Sequence, residues 1–239
     1  MAAFSEALPH GPLEELFPDV FFVTGTMRAS FDGVEWQFSR NMTVVRDQDA
    51  LTLINTVQLD DDHLTALEQL GEIVNVVRLG SLHGIDDAFY LNRYSATYWA
   101  VPGMVHAQGL IADRVLEMDA ERPFQGCNVF LFTTTAIPEA ILIIDRAGGI
   151  AVASDALQNW TRPDQYFSEA TIERMQSIGF FQKANIGPVW MQMARPAPDD
   201  FARLQGHSYR HALCGHGEPL RDTAHEDFGA TFQKLFHAA

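Results

Sequence analysis

Two strand-rich stretches, each followed by helical segments, constrain the fold of this chain most strongly. Residues 20–27 (VFFVTGTM) are β-branched and aromatic, as strands favour. Residues 42–46 and 50–57 flank the short polar turn at 47–49, which is a hairpin signature. An apolar strand is predicted at 73–77 (IVNVV). Strand-rich halves with helices after them predict two sheets packed face to face, with helices outside.

The rest of the chain follows the same plan. Strands are also predicted at residues 96–101, 127–134, 139–145, 150–155 and 208–213. Helices are predicted from Asp60, Asp61 or Asp62 to Gly71, at 86–94, from Ser168 to Gly179, from Pro198 or Asp199 through Leu204, and from Pro219 onward. Because no repeat, low-complexity tract or linker interrupts the pattern, we expect one domain over residues 1–239.

Composition excludes several classes of partner. The formal net charge is −15 and the pI is about 4.8, which argues against a nucleic-acid surface and against docking on anionic lipid. No basic-then-apolar signal segment opens the chain and no apolar run could span a bilayer, so we expect a cytoplasmic protein. Cys127 and Cys214 form no disulfide framework and no Cys-x-x-Cys pair.

Three places combine metal-ligating residue types with the ends of predicted strands. The loop 81–87 (SLHGIDD) brings His83, Asp86 and Asp87 directly after the strand at 73–77. Asp155 closes the apolar strand at 150–155, where a carboxylate is costly to bury unless it is paired or binds a metal. Imidazole and carboxylate are the ligands of a divalent metal site.

The third place is His216, which lies between two glycines in the segment CGHGEP. Each of the three places also has a structural explanation. A histidine in a glycine-rich turn is usually a turn residue, and Asp155 could cap a helix beginning at Ala156. Asp86 and Asp87 could likewise cap the helix that begins there. Cys214 and His216 are close in sequence, but neighbours on one turn seldom face each other, which disfavours a Cys–His nucleophile.

The ordered set of motifs resembles the metallo-β-lactamase superfamily from about Leu13 to the end of the chain. The resemblance rests on the hairpin over 40–57, the run WAVPG at 99–103, the segment ASDALQNW at 153–160 and the late Gly-His-Gly at 215–217. It implies an α+β fold, a four-layer αββα sandwich of two mixed β-sheets flanked by helices. It also places the site at one edge, between the sheets.

The resemblance carries over to individual residues. Asp155 matches the family's bridging carboxylate and His216 its last histidine. His83 matches one histidine of the first motif, and Asp86 or Asp87 matches its acidic member with the spacing one residue off.

The departures from the family pattern limit the site. Ser81 stands where the first histidine of the first motif would fall. A carboxylate or Ala88 stands where the closing histidine of that motif would fall. No histidine occurs from residue 107 to residue 206, and the segment matching the central histidine offers hydroxyls and Glu139 instead. The dinuclear site of the family is therefore not expected.

Two functions remain open from the sequence. In the first, the ligands His83, Asp86, Asp155 and His216 hold one divalent ion, which is zinc, iron or manganese. The protein is then a hydrolase of an ester, thioester or lactone-like bond, and a carboxylate of Asp86 or Asp87 takes the proton of the attacking water. In the second, the chain is a non-catalytic relative with a decayed site and no metal, which acts as a small-molecule-binding or interaction protein. The sequence indicates neither a substrate nor an oligomeric state.

Overall fold

The computed structural model describes residues 4–31, 33–106, 109–118 and 120–236 of the chain. In these residues the larger sheet has seven strands, which follow one another in chain order. They are β1 (Glu14–Phe17), β2 (Val20–Phe31), β3 (Val34–Asp47), β4 (Ala50–Ile54), β5 (Glu72–Arg78), β6 (Thr97–Ala100) and β7 (Arg114–Val115). Strands β1 to β4 pair antiparallel, whereas β4 to β7 pair parallel, so the sheet is mixed.

The smaller sheet has four strands within the described part of the chain. They are β8 (Cys127–Leu131), β9 (Ala140–Ile144), β10 (Ile150–Ala153) and β11 (His211–Cys214), in the spatial order β11-β10-β9-β8. Strand β10 pairs parallel with β11, and the other pairs are antiparallel.

Six helices are present in the described residues. They are α1 (Asp61–Glu68), α2 (Asp87–Arg93), α3 (Glu169–Ser177), α4 (Pro188–Ala194), α5 (Pro198–Gln205) and α6 (Ala224–Phe236). Asp60 caps α1 by accepting from the His63 amide, and Ser168 caps α3 by accepting from the Thr171 amide, as short polar side chains do at this position. Across the part of the chain that is described, none of the helices combines the length and the apolar character needed to cross a membrane.

Alternate side chains of the central strands point to opposite faces of the sheet, so each strand contributes to two core layers. In β9, Ala140, Leu142 and Ile144 face the core between the two sheets, whereas Ile141 and Ile143 face the helices. This follows from the two-residue period of a strand. The outer face of the larger sheet packs against α1 and α2, and that of the smaller sheet against α4, α5 and α6. The architecture is the predicted αββα sandwich of two mixed sheets.

The sequence predicted strands at 20–27 and 42–46 and a hairpin of 42–46 with 50–57, but not the long β2–β3 hairpin. It pairs continuously from Val20 with Val45 to Phe31 with Val34. Its outer half lies beyond the sandwich, where Trp36 and Phe38 pack on an aromatic cluster beside α3. Strand β1 and helix α4 were also not predicted.

The last helix begins later than predicted. Pro219 was expected at its first position, but α6 starts at Ala224. Pro219 is excluded from the helix because the next residue, Leu220, exchanges two backbone hydrogen bonds with Ala212 of β11.

Candidate metal centre

Three strand ends meet at one edge of the sandwich. Strands β10 and β11 are parallel neighbours, so the residues that follow them emerge at the same edge. Asp155 lies just after β10 and His216 just after β11, while His83 lies in the loop after β5 of the other sheet. Residues that are far apart in the sequence are thus brought to one point between the sheets.

The three side chains place their ligand atoms close together. The His83 Nε2 atom lies 3.1 Å from His216 Nε2 and 3.2 Å from Asp155 Oδ2. The His216 Nε2 atom lies 3.3 Å from Asp155 Oδ1. We call His83, Asp155 and His216 the trio.

These separations fit a metal ion. Two ligand atoms that each lie about 2.0–2.1 Å from a zinc ion at a tetrahedral angle are about 3.3 Å apart. The three separations within the trio, 3.1, 3.2 and 3.3 Å, are close to this value. The 3.2 and 3.3 Å distances end on different oxygens of Asp155, so two imidazole nitrogens and one oxygen of this carboxylate would hold the ion.

A hydrogen bond to the second ring nitrogen, Nδ1, fixes the orientation of His216. Its Nδ1 atom lies 3.1 Å from the Ser39 carbonyl oxygen, to which it donates in the tautomer that leaves the Nε2 lone pair facing the trio. Metal-bound histidines almost always have such a partner on the second nitrogen. The Trp160 ring packs against the imidazole at 4.6 Å between centroids, and Phe38 packs against it at 5.8 Å.

The Gly-His-Gly turn is held against β3. The Asn41 side-chain amide donates to the carbonyl oxygens of Cys214 and Gly217, and the Asn41 backbone amide donates to Gly215. A Cβ atom on Gly215 would lie 2.7 Å from His83 Cε1, so only glycine lets His83 approach this closely.

The loop that carries His83 is held by a buried arginine. Arg78, at the end of β5, donates to the carbonyl oxygens of Gly80 and Ser81 at 3.1 and 2.7 Å. The Ser81 hydroxyl donates to the Pro138 carbonyl oxygen. Ser81, which the resemblance predicts at the position of the family's first histidine, thus ties the loop to the segment before β9.

Glu139 supports Asp155 from inside the sandwich. The backbone amides of Asp155 and Ala156 both donate to Glu139 Oε1 at 2.7 Å. Glu139 is wholly buried, and burial together with the charge of Asp155 raises the pKa of its carboxyl well above the usual range. The sequence placed Glu139 in the segment that matches the missing histidine, but it did not indicate this contact.

The trio is electrostatically coupled. Burial alone would raise the pKa of the Asp155 carboxyl, but His83 and His216 outweigh it and hold this pKa below the usual range. Burial lowers the pKa of the His83 imidazole, and the attraction of Asp155 offsets this only in part. The lowered pKa of His83 favours its neutral form, which is the form that binds a metal.

Asp86, which was expected among the ligands, does not join the trio. It forms an ion pair with Arg40 of β3 and accepts from the Gln58 amide at 2.6 Å. The loop turns at Gly84, which has a φ of +97°, and α2 begins directly after Asp86, so the Asp86 side chain is directed to Arg40.

Asp87 is wholly buried. It accepts hydrogen bonds from the hydroxyls of Thr56 at 2.6 Å and Tyr98 at 2.8 Å. Burial raises the pKa of the Asp87 carboxyl, although both hydrogen bonds act in the opposite direction. These contacts anchor the start of α2 to the sheet.

Arg40 and Asn41 were missed in the sequence. Both are buried polar residues at the point where the hairpin leaves the sandwich. Their position next to the apolar run MTVV at 42–45 was the available signal, since a buried arginine requires a partner.

Access to the trio is narrow. Its side chains are only 6%, 9% and 8% exposed for His83, Asp155 and His216. A neighbouring cavity of 760 Å³ is lined by Arg40 and Asp86 but not by the trio.

Cys214 takes no part in the site. It is buried in the layer between the smaller sheet and its helices, where burial raises the pKa of the thiol. Cys127 is also a free, buried thiol.

Comparison with known proteins identifies the architecture. No family model and no curated protein matches the sequence. The structure of DIM-1 metallo-β-lactamase exposed to ceftazidime is similar, with a TM-score of 0.61, 16% identity and coverage of 96% of this chain and 99% of that one. A metallo-β-lactamase from Erythrobacter litoralis is also similar, with a TM-score of 0.59, 14% identity and coverage of 96% of each chain.

A third similar structure is FIM-1 metallo-β-lactamase from Pseudomonas aeruginosa in its mono-zinc form. It gives a TM-score of 0.59 and 13% identity, with coverage of 96% of this chain and 97% of that one. The described strands, helices and layers agree with the same plan. The chain has the metallo-β-lactamase fold.

Proposed function

We propose that the trio holds one divalent metal ion and that the protein is a metal-dependent hydrolase of an ester, thioester or lactone-like bond. The observation that carries this proposal is the spacing of the ligand groups at the strand ends of a metallo-β-lactamase fold. The two Nε2 atoms lie 3.1 Å apart, and each lies 3.2–3.3 Å from an oxygen of Asp155. Two imidazoles and one carboxylate suit zinc, iron or manganese. When bound, such an ion polarises an acyl oxygen and lowers the pKa of water.

The residues around the trio support a preorganised site. Ser39 fixes the His216 tautomer, Glu139 fixes the turn of Asp155, and Gly215 leaves room for His83. A ligand set held in this way loses little conformational entropy when it binds an ion.

Of the two carboxylates proposed as proton acceptors, we favour Asp86. Asp86 is the more accessible of the two, since it lines the 760 Å³ cavity, whereas Asp87 is wholly buried and already accepts two hydrogen bonds. In this scheme Arg40 holds the Asp86 carboxylate at the cavity wall.

A second candidate function is a non-catalytic one, as a small-molecule-binding or interaction protein. The observation that favours it is the low exposure of the trio, 6–9% for each side chain, beside a cavity that the trio does not line. A ligand could occupy that cavity without meeting the trio.

The single domain, the cytoplasmic location and the lack of nucleic-acid and membrane partners remain predictions.

Metal content and acyl hydrolysis together test the proposal. Protein purified without chelator is analysed for transition metals and assayed on an aryl ester, a thioester and a lactone. His83→Gln and His216→Gln should each lose one metal equivalent and the hydrolysis, and His207→Gln, which changes a histidine outside the trio, should keep both. Metal-loaded wild type without activity on any of the substrates would favour the non-catalytic function. Equal metal content in wild type and in both trio variants would overturn metal binding by the trio.

A further inference from the structure

A second group of ligand-type side chains lies outside the trio. It consists of His10 in the N-terminal segment and of Asp60 and His63 at the start of α1. One ligand atom from each residue lies within 4.8 Å of the others. We propose that His10, Asp60 and His63 form a second divalent metal site, of the zinc class, that ties the N-terminal segment to α1.

The backbone around His10 is held in place, and its Nε2 atom is the one directed at Asp60. The backbone on both sides of it pairs with β2, since the Thr26 amide donates to Pro9 and the Gly11 amide donates to Thr24. The His10 side chain is only 2% exposed. Its Nδ1 atom lies 2.9 Å from the Gly11 carbonyl oxygen, so donation there leaves the Nε2 lone pair facing Asp60. A backbone partner on the second nitrogen is the arrangement found for metal-bound histidines.

The other two ligands come from one helical turn. His63 Nδ1 lies 2.6 Å from Asp60 Oδ1, and His10 Nε2 lies 3.5 Å from Asp60 Oδ2. A bound ion would replace the proton that His63 and Asp60 share. It would also take the His10 lone pair that now accepts from the Asp60 amide at 3.0 Å. Replacing these contacts by an ion requires only a small movement, because the His10 and His63 rings already contact each other with centroids 4.6 Å apart.

The local charge favours a cation. The positive end of the α1 dipole opposes one, but Asp61 and Asp62 in the first turn, together with Asp60, offset this field. Two imidazoles and one carboxylate match zinc, with water in the fourth position. His63 and Asp60 are 34% and 53% exposed, so an ion can enter directly from solvent.

Zinc titration of the full chain tests this site. Wild type and His63→Gln are titrated with zinc chloride by calorimetry, with His207→Gln as the control. Zinc stabilises the folded state by mass action, so thermal midpoints are recorded with and without it. We expect His63→Gln to bind one zinc equivalent fewer than wild type and to lose part of the zinc-induced rise in midpoint. Identical stoichiometry and midpoint shift in wild type and His63→Gln would overturn the proposal and would leave Asp60 as a helix cap only.

The result does not depend on the trio. In a His216→Gln background we expect one zinc equivalent to remain, and adding His63→Gln should remove it. If His216→Gln already binds no zinc, the second site is refuted while binding by the trio stands. If the loss of one equivalent is seen only with His63→Gln, the second site stands and binding by the trio fails.

Discussion

Gly215→Ala should weaken metal binding by the trio without unfolding the protein. An alanine Cβ would lie 2.7 Å from His83 Cε1 and 3.2 Å from the Ser154 carbonyl oxygen. Gly215 has no positive φ, so the backbone itself accepts alanine. To restore ordinary contact the imidazole has to retreat from 2.7 to 3.4 Å, a shift of about 0.7 Å. Metal–ligand distances tolerate only about 0.2 Å.

The expected cost is set by the loss of one well-placed ligand. Changes to the groups that orient a metal ligand lower affinity about 10–100-fold, which corresponds to about 1.4–2.8 kcal/mol. Competition with a chromophoric chelator measures the zinc affinity. Gly229→Ala in α6, where the three atoms nearest to the new Cβ all belong to the flexible Gln205 side chain, is the matched control. An unchanged affinity in Gly215→Ala, with the fold intact, would refute the reasoning that glycine makes room for His83.

Three further predictions test the fold and the support of the site. Asp200→Asn should lower the free energy of unfolding at pH 7 by about 3 kcal/mol, since the buried carboxylate accepts from the backbone amides and the hydroxyls of residues 133–134. Because these contacts hold the pKa of Asp200 below its usual range, its stabilisation is present at neutral pH and is lost as the pH falls below about 4. Denaturation at pH 7 and pH 3 should therefore show a smaller difference between Asp200→Asn and wild type at the lower pH. Asn41→Ala should reduce zinc affinity about tenfold, because it frees the turn that carries His216, and chelator competition measures this. Leu142→Ala, between the sheets, should cost about 2–5 kcal/mol in urea denaturation.

Much of the fold was predictable because it depends on local patterns. The β-branched runs that became β2, β5 and β9 and the apolar stripe of α1 were legible as two-residue and 3.6-residue periods. The outer half of the β2–β3 hairpin was not, because residues 28–41 are largely polar and are stabilised by α3 from far along the chain. The Gln37 amide, for example, donates to the Thr171 hydroxyl.

The site was predictable only in part. His83, Asp155 and His216 were identified because each stands after an apolar strand beside glycine or small residues. Their convergence, and the departure of Asp86 toward Arg40, could not be read from spacing, because a single turn at Gly84 decides which way a side chain points.

The sequence by itself determined most of the elements and their layering, because hydrophobic periodicity fixes which face of a strand or helix is buried. The absence of histidine from residues 107–206 also predicts that a dinuclear site of the family's usual kind does not form, and this remains a prediction. The tertiary structure alone decided that His83, Asp155 and His216 meet within hydrogen-bonding distance and that His10, Asp60 and His63 form a second cluster. It also decided that Glu139 and Asn41 support the trio. Those contacts join residues up to 176 positions apart, and only the packing of the two sheets and their loops sets such distances.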